Sequence, residues 1–125
     1  MPISPTTVIN QGDIYFCEPD PQDTVGSEQG GDRPWVIVSI PQLRRGNCVV
    51  GLPLSRHTEK AVAHLIKVPL QEITVEGTDP NIDRVALTDQ IRCLDKSRFR
   101  RKFGHISKRA LTSIFDLGLD RLFGR

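Results

Sequence analysis

The chain has 125 residues, 17 Lys or Arg, 15 Asp or Glu and a net charge of +2, a size at which one domain buries about two-thirds of its unfolded surface without staples. It contains no run of about 20 apolar residues to cross a membrane as a helix, and Met1-Pro-Ile-Ser-Pro-Thr-Thr7 lacks the basic and apolar segments of a signal peptide. Cys17, Cys48 and Cys93 form no C-x-x-C pair; they read as small buried hydrophobes in a reducing cytoplasm rather than as a metal or redox framework.

One domain is expected over residues 1–125, with 1–10 read as a flexible extension. Gln11–Cys17 reads as a first strand, with Ile14 and Phe16 on one face and Tyr15 and Cys17 on the other. Residues 18–33 form a long loop with three glycines and two prolines before Arg33, and loops of that length are usually functional or disordered. Pro34 then biases Arg33 toward extended backbone and fixes its own φ. A polar loop thus hands over to a rigid strand at a guanidinium, whose planar donors suit phosphate oxygens. Residues 35–40 and 47–54 read as strands, joined by the turn-like Pro41-Gln-Leu-Arg-Arg-Gly46. Paired as a hairpin, they set position 33 opposite 54 or 55, and directly opposed side chains lie about 5 Å apart at Cβ. Arg33 and Ser55 are therefore expected to meet at the open end of the hairpin, since a one-residue slip would send one of them to the other face.

Ser55–Lys60 is polar and reads as a loop, and Ala61–Val68 as a strand. Residues 76–84 are dense in turn formers. Val85–Leu94 reads as one strand carrying the polar pair Asp89-Gln90 in its middle, with Arg92 on the same face as Gln90. Lys102–Ile106 reads as a short last strand. A helix follows, with Ser107 as N-cap, Ile106 and Leu111 at the staple positions, and Leu111, Ile114, Phe115, Leu119, Leu122 and Phe123 as its apolar face. Many short strands and one terminal helix predict a mainly β fold, a small barrel or twisted sheet packed on that helix.

Charge is unevenly spread. Residues 1–32 hold six acidic and no basic groups, whereas residues 92–125 hold ten Lys or Arg against three Asp. A basic face that suits a polyanion or an acidic partner is one reading, and a solvated face is the other. There is no H-E-x-x-H, no tight ligand cluster, no P-loop, no dinucleotide fingerprint and no G-x-S-x-G elbow. Ser55 is either a turn-capping hydroxyl or a reactive-site group, and His57 is a candidate acid or base. The amide and carboxylate of Gln90 and Asp89 suit base edges of single-stranded RNA.

Taken in order, Gly12-Asp-Ile-Tyr-Phe16, Gly26-Ser-Glu-Gln-Gly-Gly-Asp-Arg33-Pro34, Pro53-Leu-Ser55 and Asp89-Gln-Ile-Arg-Cys-Leu-Asp-Lys96 resemble the MazF/PemK toxin family over nearly the whole chain. The resemblance implies an SH3-like small barrel with a C-terminal helix, of the CcdB/MazF kind, forming a homodimer. It implies metal-independent, sequence-selective cleavage of single-stranded RNA without a cofactor. It also implies a cognate antitoxin whose disordered C-terminal segment covers the RNA groove. The family's essential Arg and its Thr or Ser fall on Arg33 and Ser55. Ser27, Glu28, Gln29, Asp89 and Gln90 fall on groove positions, and Arg56, His57 and Arg92 complete the expected RNA-binding set. One branch of the family has His where Ser27 stands and Arg where Leu87 stands; this chain resembles the other branch. A gyrase poison of the CcdB type would end in Trp-Gly-Ile, whereas this chain ends Leu122-Phe-Gly-Arg125. A non-catalytic RNA-binding module on the same scaffold is the remaining alternative.

Overall fold

The computed structural model describes Ile3 and residues 7–18, 33–40, 48–60 and 65–125. Among the described residues eight strands are formed: β1 (Asp13–Cys17), β2 (Arg33–Ile37), β3 (Cys48–Ser55), β4 (Ile66–Val68), β5 (Ile73–Val75), β6 (Arg84–Ala86), β7 (Arg92–Asp95) and β8 (Phe99–Ile106). They join in the order β4-β6-β3-β2-β1-β8-β5, with β7 also on β3, as a nearly closed, barrel-shaped antiparallel sheet. The expected mainly β fold with a terminal helix is what the chain adopts.

Alternation along the strands builds two cores. Ile14, Val36, Leu52, Leu54, Ala86 and Phe103 fill the main one, which Ala110, Ile114 and Leu119 of the terminal helix close. Tyr15, Cys17, Ile37, Val49, Leu94 and Phe99 form the second, on the other face of the sheet. The faces expected for β1 are therefore correct. Ile3 and Ile9 also pack on the second core, Ile3 donating its N–H to the Phe99 carbonyl at 3.3 Å.

The predicted strand over 85–94 is corrected to two strands. β3 pairs through Leu54↔Ala86 with β6 but through Gly51↔Arg92 with β7. Three steps along β3 thus consume six residues of its neighbour, and the excess forms a 3₁₀ turn, Thr88–Gln90. Pro53, at the bend, offers no N–H to the ladder; its carbonyl instead accepts from Leu87 N–H at 3.0 Å. The predicted strand 61–68 is described only as β4, Ile66–Val68, since 61–64 lie outside the described residues. β5 falls between predicted elements, and β8 begins three residues earlier than expected.

The terminal helix starts where its cap predicts: Ser107 Oγ accepts from Ala110 N–H at 3.0 Å, opening α1 (Lys108–Ser113). A π-helical turn, Ile114–Leu119, follows, then α2 (Asp120–Leu122). The wider π turn re-phases the residues beyond it. Leu122 still reaches the core, but Phe123, expected on the apolar face, is 63% exposed.

Candidate active site

Antiparallel pairing gathers the ends of β1 and β3 and the starts of β2, β6 and β8 on one rim of the barrel. Arg33 opens β2, partly buried and opposite Cys17 of β1. Ser55 closes β3, 5% exposed and opposite Val85 of β6. The β2–β3 register is Trp35↔Pro53, Val36↔Leu52 and Ile37↔Gly51. Continued by two residues, it sets Arg33 across from Ser55 on the sheet face shared with Trp35. Of the two registers the hairpin allowed, the ladder follows the one that aligns position 33 with 55 rather than 54.

Ser55 Oγ accepts a hydrogen bond from His57 N–H at 3.1 Å. The turn-capping role is therefore real, and it uses only the acceptor side of the hydroxyl, so the O–H remains a donor for a second group. Arg56 and His57 follow in the exposed turn, with His57 Nδ1 3.5 Å from Glu59 Oε1. The Leu87–Pro53 hydrogen bond hangs the Thr88–Gln90 turn beside the same end of β3.

Asp89 and Gln90 are exposed on that turn, not in mid-strand. The Asp89-Gln90 pair is polar because it turns a corner in solvent. The expected alignment of Gln90 with Arg92 on one strand face therefore fails. Arg92 opens β7 opposite Gly51, which places it on the sheet face of Pro53 and Ser55, lower on the wall than the rim. Ser27, Glu28 and Gln29 lie outside the described residues. Among the described residues no three His, Cys, Asp or Glu side chains group as a metal site, and no helix is long and apolar enough to cross a membrane.

Sequence reasoning missed Arg84, which it placed within a turn. Arg84 opens β6, is 5% exposed, and holds its guanidinium 4.9 Å from the Phe103 ring centroid. Its Nε has no hydrogen-bond partner among the described residues. Burial, and then the charge of Arg56, pull its pKa below the usual arginine value, against the pull of Asp79. Phe103 meets the edge of Phe16 at 5.3 Å, and Arg101 stacks on Phe16 at 4.3 Å.

The chain is similar to known proteins in sequence and in fold. Residues 10–117 match the family of PemK-like, MazF-like toxins of type II toxin–antitoxin systems. The endoribonuclease MazF of Staphylococcus saprophyticus is 31% identical over 113 residues, covering 86% of this chain and 85% of that protein. The endoribonuclease EndoA of Bacillus subtilis is 29% identical over 109 residues, covering 86% and 88%. Among solved structures, MazF of Deinococcus radiodurans superposes with a TM-score of 0.71 at 22% identity, covering 95% of this chain and 99% of that one. In its complex with MazE the same protein gives 0.68 at 22% identity, covering 94% and 97%. The chain belongs to the PemK-like, MazF-like toxin family of type II toxin–antitoxin systems.

Proposed function

We propose that this chain is a toxin that cuts single-stranded RNA, chiefly messenger RNA, at a selected sequence and without a metal ion. One observation carries the reading: the β2–β3 ladder runs in register to Trp35↔Pro53, and Arg33 and Ser55 each lie two residues further toward the rim. The endoribonuclease names of its relatives support it.

The ribose 2′-oxygen attacks the adjacent phosphorus, forming the 2′-O–P bond while P–O5′ breaks. The products are a 2′,3′-cyclic phosphate and a 5′-hydroxyl. The 2′-proton leaves to a base and O5′ gains one from an acid, and His57, beside Ser55, is the candidate for one of these transfers. Charge grows on the non-bridging oxygens. Arg33 supplies fixed positive charge there, in the preorganised form that usually dominates such catalysis. Ser55 acts as a donor, not a nucleophile, since the ribose 2′-oxygen is the attacking group and the Ser55 O–H is free of the bond it accepts from His57 N–H.

Ser27, Glu28, Gln29, Arg56, Asp89, Gln90 and Arg92 are the proposed RNA contacts around this centre. The working form is a homodimer in the cytoplasm, silenced by a cognate antitoxin whose disordered C-terminal segment occupies the groove. The MazE–MazF complex from Deinococcus radiodurans supports such a partner.

The test is cleavage of a long transcript in EDTA by antitoxin-free protein, with both RNA ends mapped. Discrete cuts with cyclic-phosphate ends are expected, lost when the scissile ribose is replaced by deoxyribose. Folded wild-type protein that cuts none of several transcripts would overturn the proposal in favour of a binding role.

A further inference from the structure

The rim holds a second concentration of positive charge that the proposed chemistry does not use. Leu54↔Ala86 and Ser55↔Val85 pair β3 with β6, and one further step in the same register sets Arg56 across from Arg84. Alternation puts Arg84 on the main-core side of the strand ends, over Phe103, with Arg56 in the exposed bend that follows β3, while Ser55 and Arg33 take the other side. Ser55 and Arg56 are consecutive, so their Cα atoms lie about 3.8 Å apart.

Asp79, whose charge acts on Arg84, and Asp83, its neighbour in the chain, both hydrogen-bond to other groups. Asp79 binds Arg101 through two hydrogen bonds, of 2.7 and 2.9 Å. Asp83 accepts from Leu70 N–H at 2.8 Å and lies 3.5 Å from Lys67 Nζ. Arg84 thus buries a guanidinium that has an aromatic face below it, a like charge beside it and an Nε with no acceptor among the described residues. A buried charge in that state is costly, and an apolar side chain would pack over Phe103 without the cost. An arriving anion would compensate both arginines at once, because guanidinium forks donate paired hydrogen bonds to phosphate oxygens.

We infer that Arg84 and Arg56 form a second anion subsite that takes an RNA phosphate neighbouring the scissile one. The inference rests on the RNA-cleaving reading above. A backbone lying across the strand ends presents its scissile phosphate to Arg33 and Ser55 on one side and the next phosphate to Arg84 and Arg56 on the other. The subsite fixes where the chain lies and reads no base.

The test uses an oligonucleotide carrying the mapped cut site, with deoxyribose at the scissile position to block cleavage. A single neutral methylphosphonate is walked along its backbone, and binding is read by fluorescence anisotropy. At one position flanking the cut, neutralisation should weaken wild-type binding about tenfold or more and leave Arg84→Met unaffected. Arg84→Met should also flatten the dependence of log affinity on log salt by about 0.7, and its melting temperature without RNA should equal or exceed that of wild type. Equal methylphosphonate penalties in the two proteins at every position would overturn the inference, as would an unchanged salt slope. Should Arg84→Met fail to fold, Arg56→Met carries the same comparison at an exposed position: coupling to that same phosphate supports the subsite, and its absence overturns it. Wild-type cleavage of the all-ribose oligonucleotide in the same buffer separates the two readings, because its failure strikes the RNA proposal itself.

Discussion

At the scale of single residues, Arg33 and Ser55 carry different kinds of risk. Arg33 sits at a strand start, partly buried and with no place in either apolar core, so replacing it should leave the fold intact. Arg33→Ala should lower the single-turnover cleavage rate roughly 10²–10³-fold at an unchanged circular dichroism spectrum. Arg33→Lys keeps the charge but loses the planar fork, and should recover only part of that rate. A near-wild-type Arg33→Ala enzyme would remove the guanidinium from the mechanism. Ser55 is both a donor to substrate and an acceptor for His57 N–H. Ser55→Thr preserves both roles and should stay active. Ser55→Ala should lose rate and also about 1 kcal/mol of stability, because the His57 N–H loses its partner. Urea unfolding and cleavage rates measured on the two variants together separate the roles: a stability loss without a rate loss would reduce Ser55 to a turn cap.

At the scale of elements, the tightest constraint is where β5 crosses β8. A Cβ built on Gly104 would stand 1.9 Å from the Thr74 carbonyl oxygen, which is backbone and cannot swing aside. Gly104→Ala should therefore fail to fold or melt far below wild type in a thermal scan, whereas Ser107→Ala, which removes only the helix cap, should cost about 1 kcal/mol. A Gly104→Ala protein melting with wild type would mean that β5 does not lie on β8 as described. The helix start, the faces of β1 and the β2–β3 register were legible in the sequence because each rests on a local rule: a cap, a two-residue period, a short connection. The break between β6 and β7 was not legible. It arises because β3 changes partner on either side of Pro53, and a non-local pairing leaves no periodic trace in the strand that must accommodate it. The π turn escaped for a related reason, since the apolar spacing at Leu111, Ile114 and Phe115 is the same with or without one extra residue per turn. In the candidate site, Arg33 and Ser55 were legible from hairpin arithmetic. Arg84 was not, because only the closed barrel turns a residue beside Asp-Pro-Asn into a buried one.

At the scale of the whole molecule, charge ties distant parts of the chain together, and pH tests those ties. Lys102, hydrogen-bonded to Glu76 at 3.1 Å, holds the Glu76 carboxyl below its ordinary pKa, with help from His105. Arg101 does the same to Asp79, and the Ser97 N–H to Asp95. A carboxyl whose pKa is lower folded than unfolded contributes stability that is fully present above its unfolded value, near 4, and is lost as pH falls through the folded value. The chain should therefore keep its stability from neutral pH down to about 5 and lose it progressively below about 4. Glu76 is substantially exposed, so solvent and salt screen its share and Asp79 should dominate. Asp79 joins the loop before β6 to β8 and also offsets the charge on Arg84. Urea midpoints for wild type and Asp79→Asn at pH 7, 5, 4 and 3 provide the measurement. Wild type should fall steeply between pH 4 and 3, while Asp79→Asn should start lower and fall less. Parallel acid limbs in the two proteins would mean that the Asp79–Arg101 clasp contributes nothing to holding the rim closed, and that the positive charge gathered there is carried by the apolar cores alone.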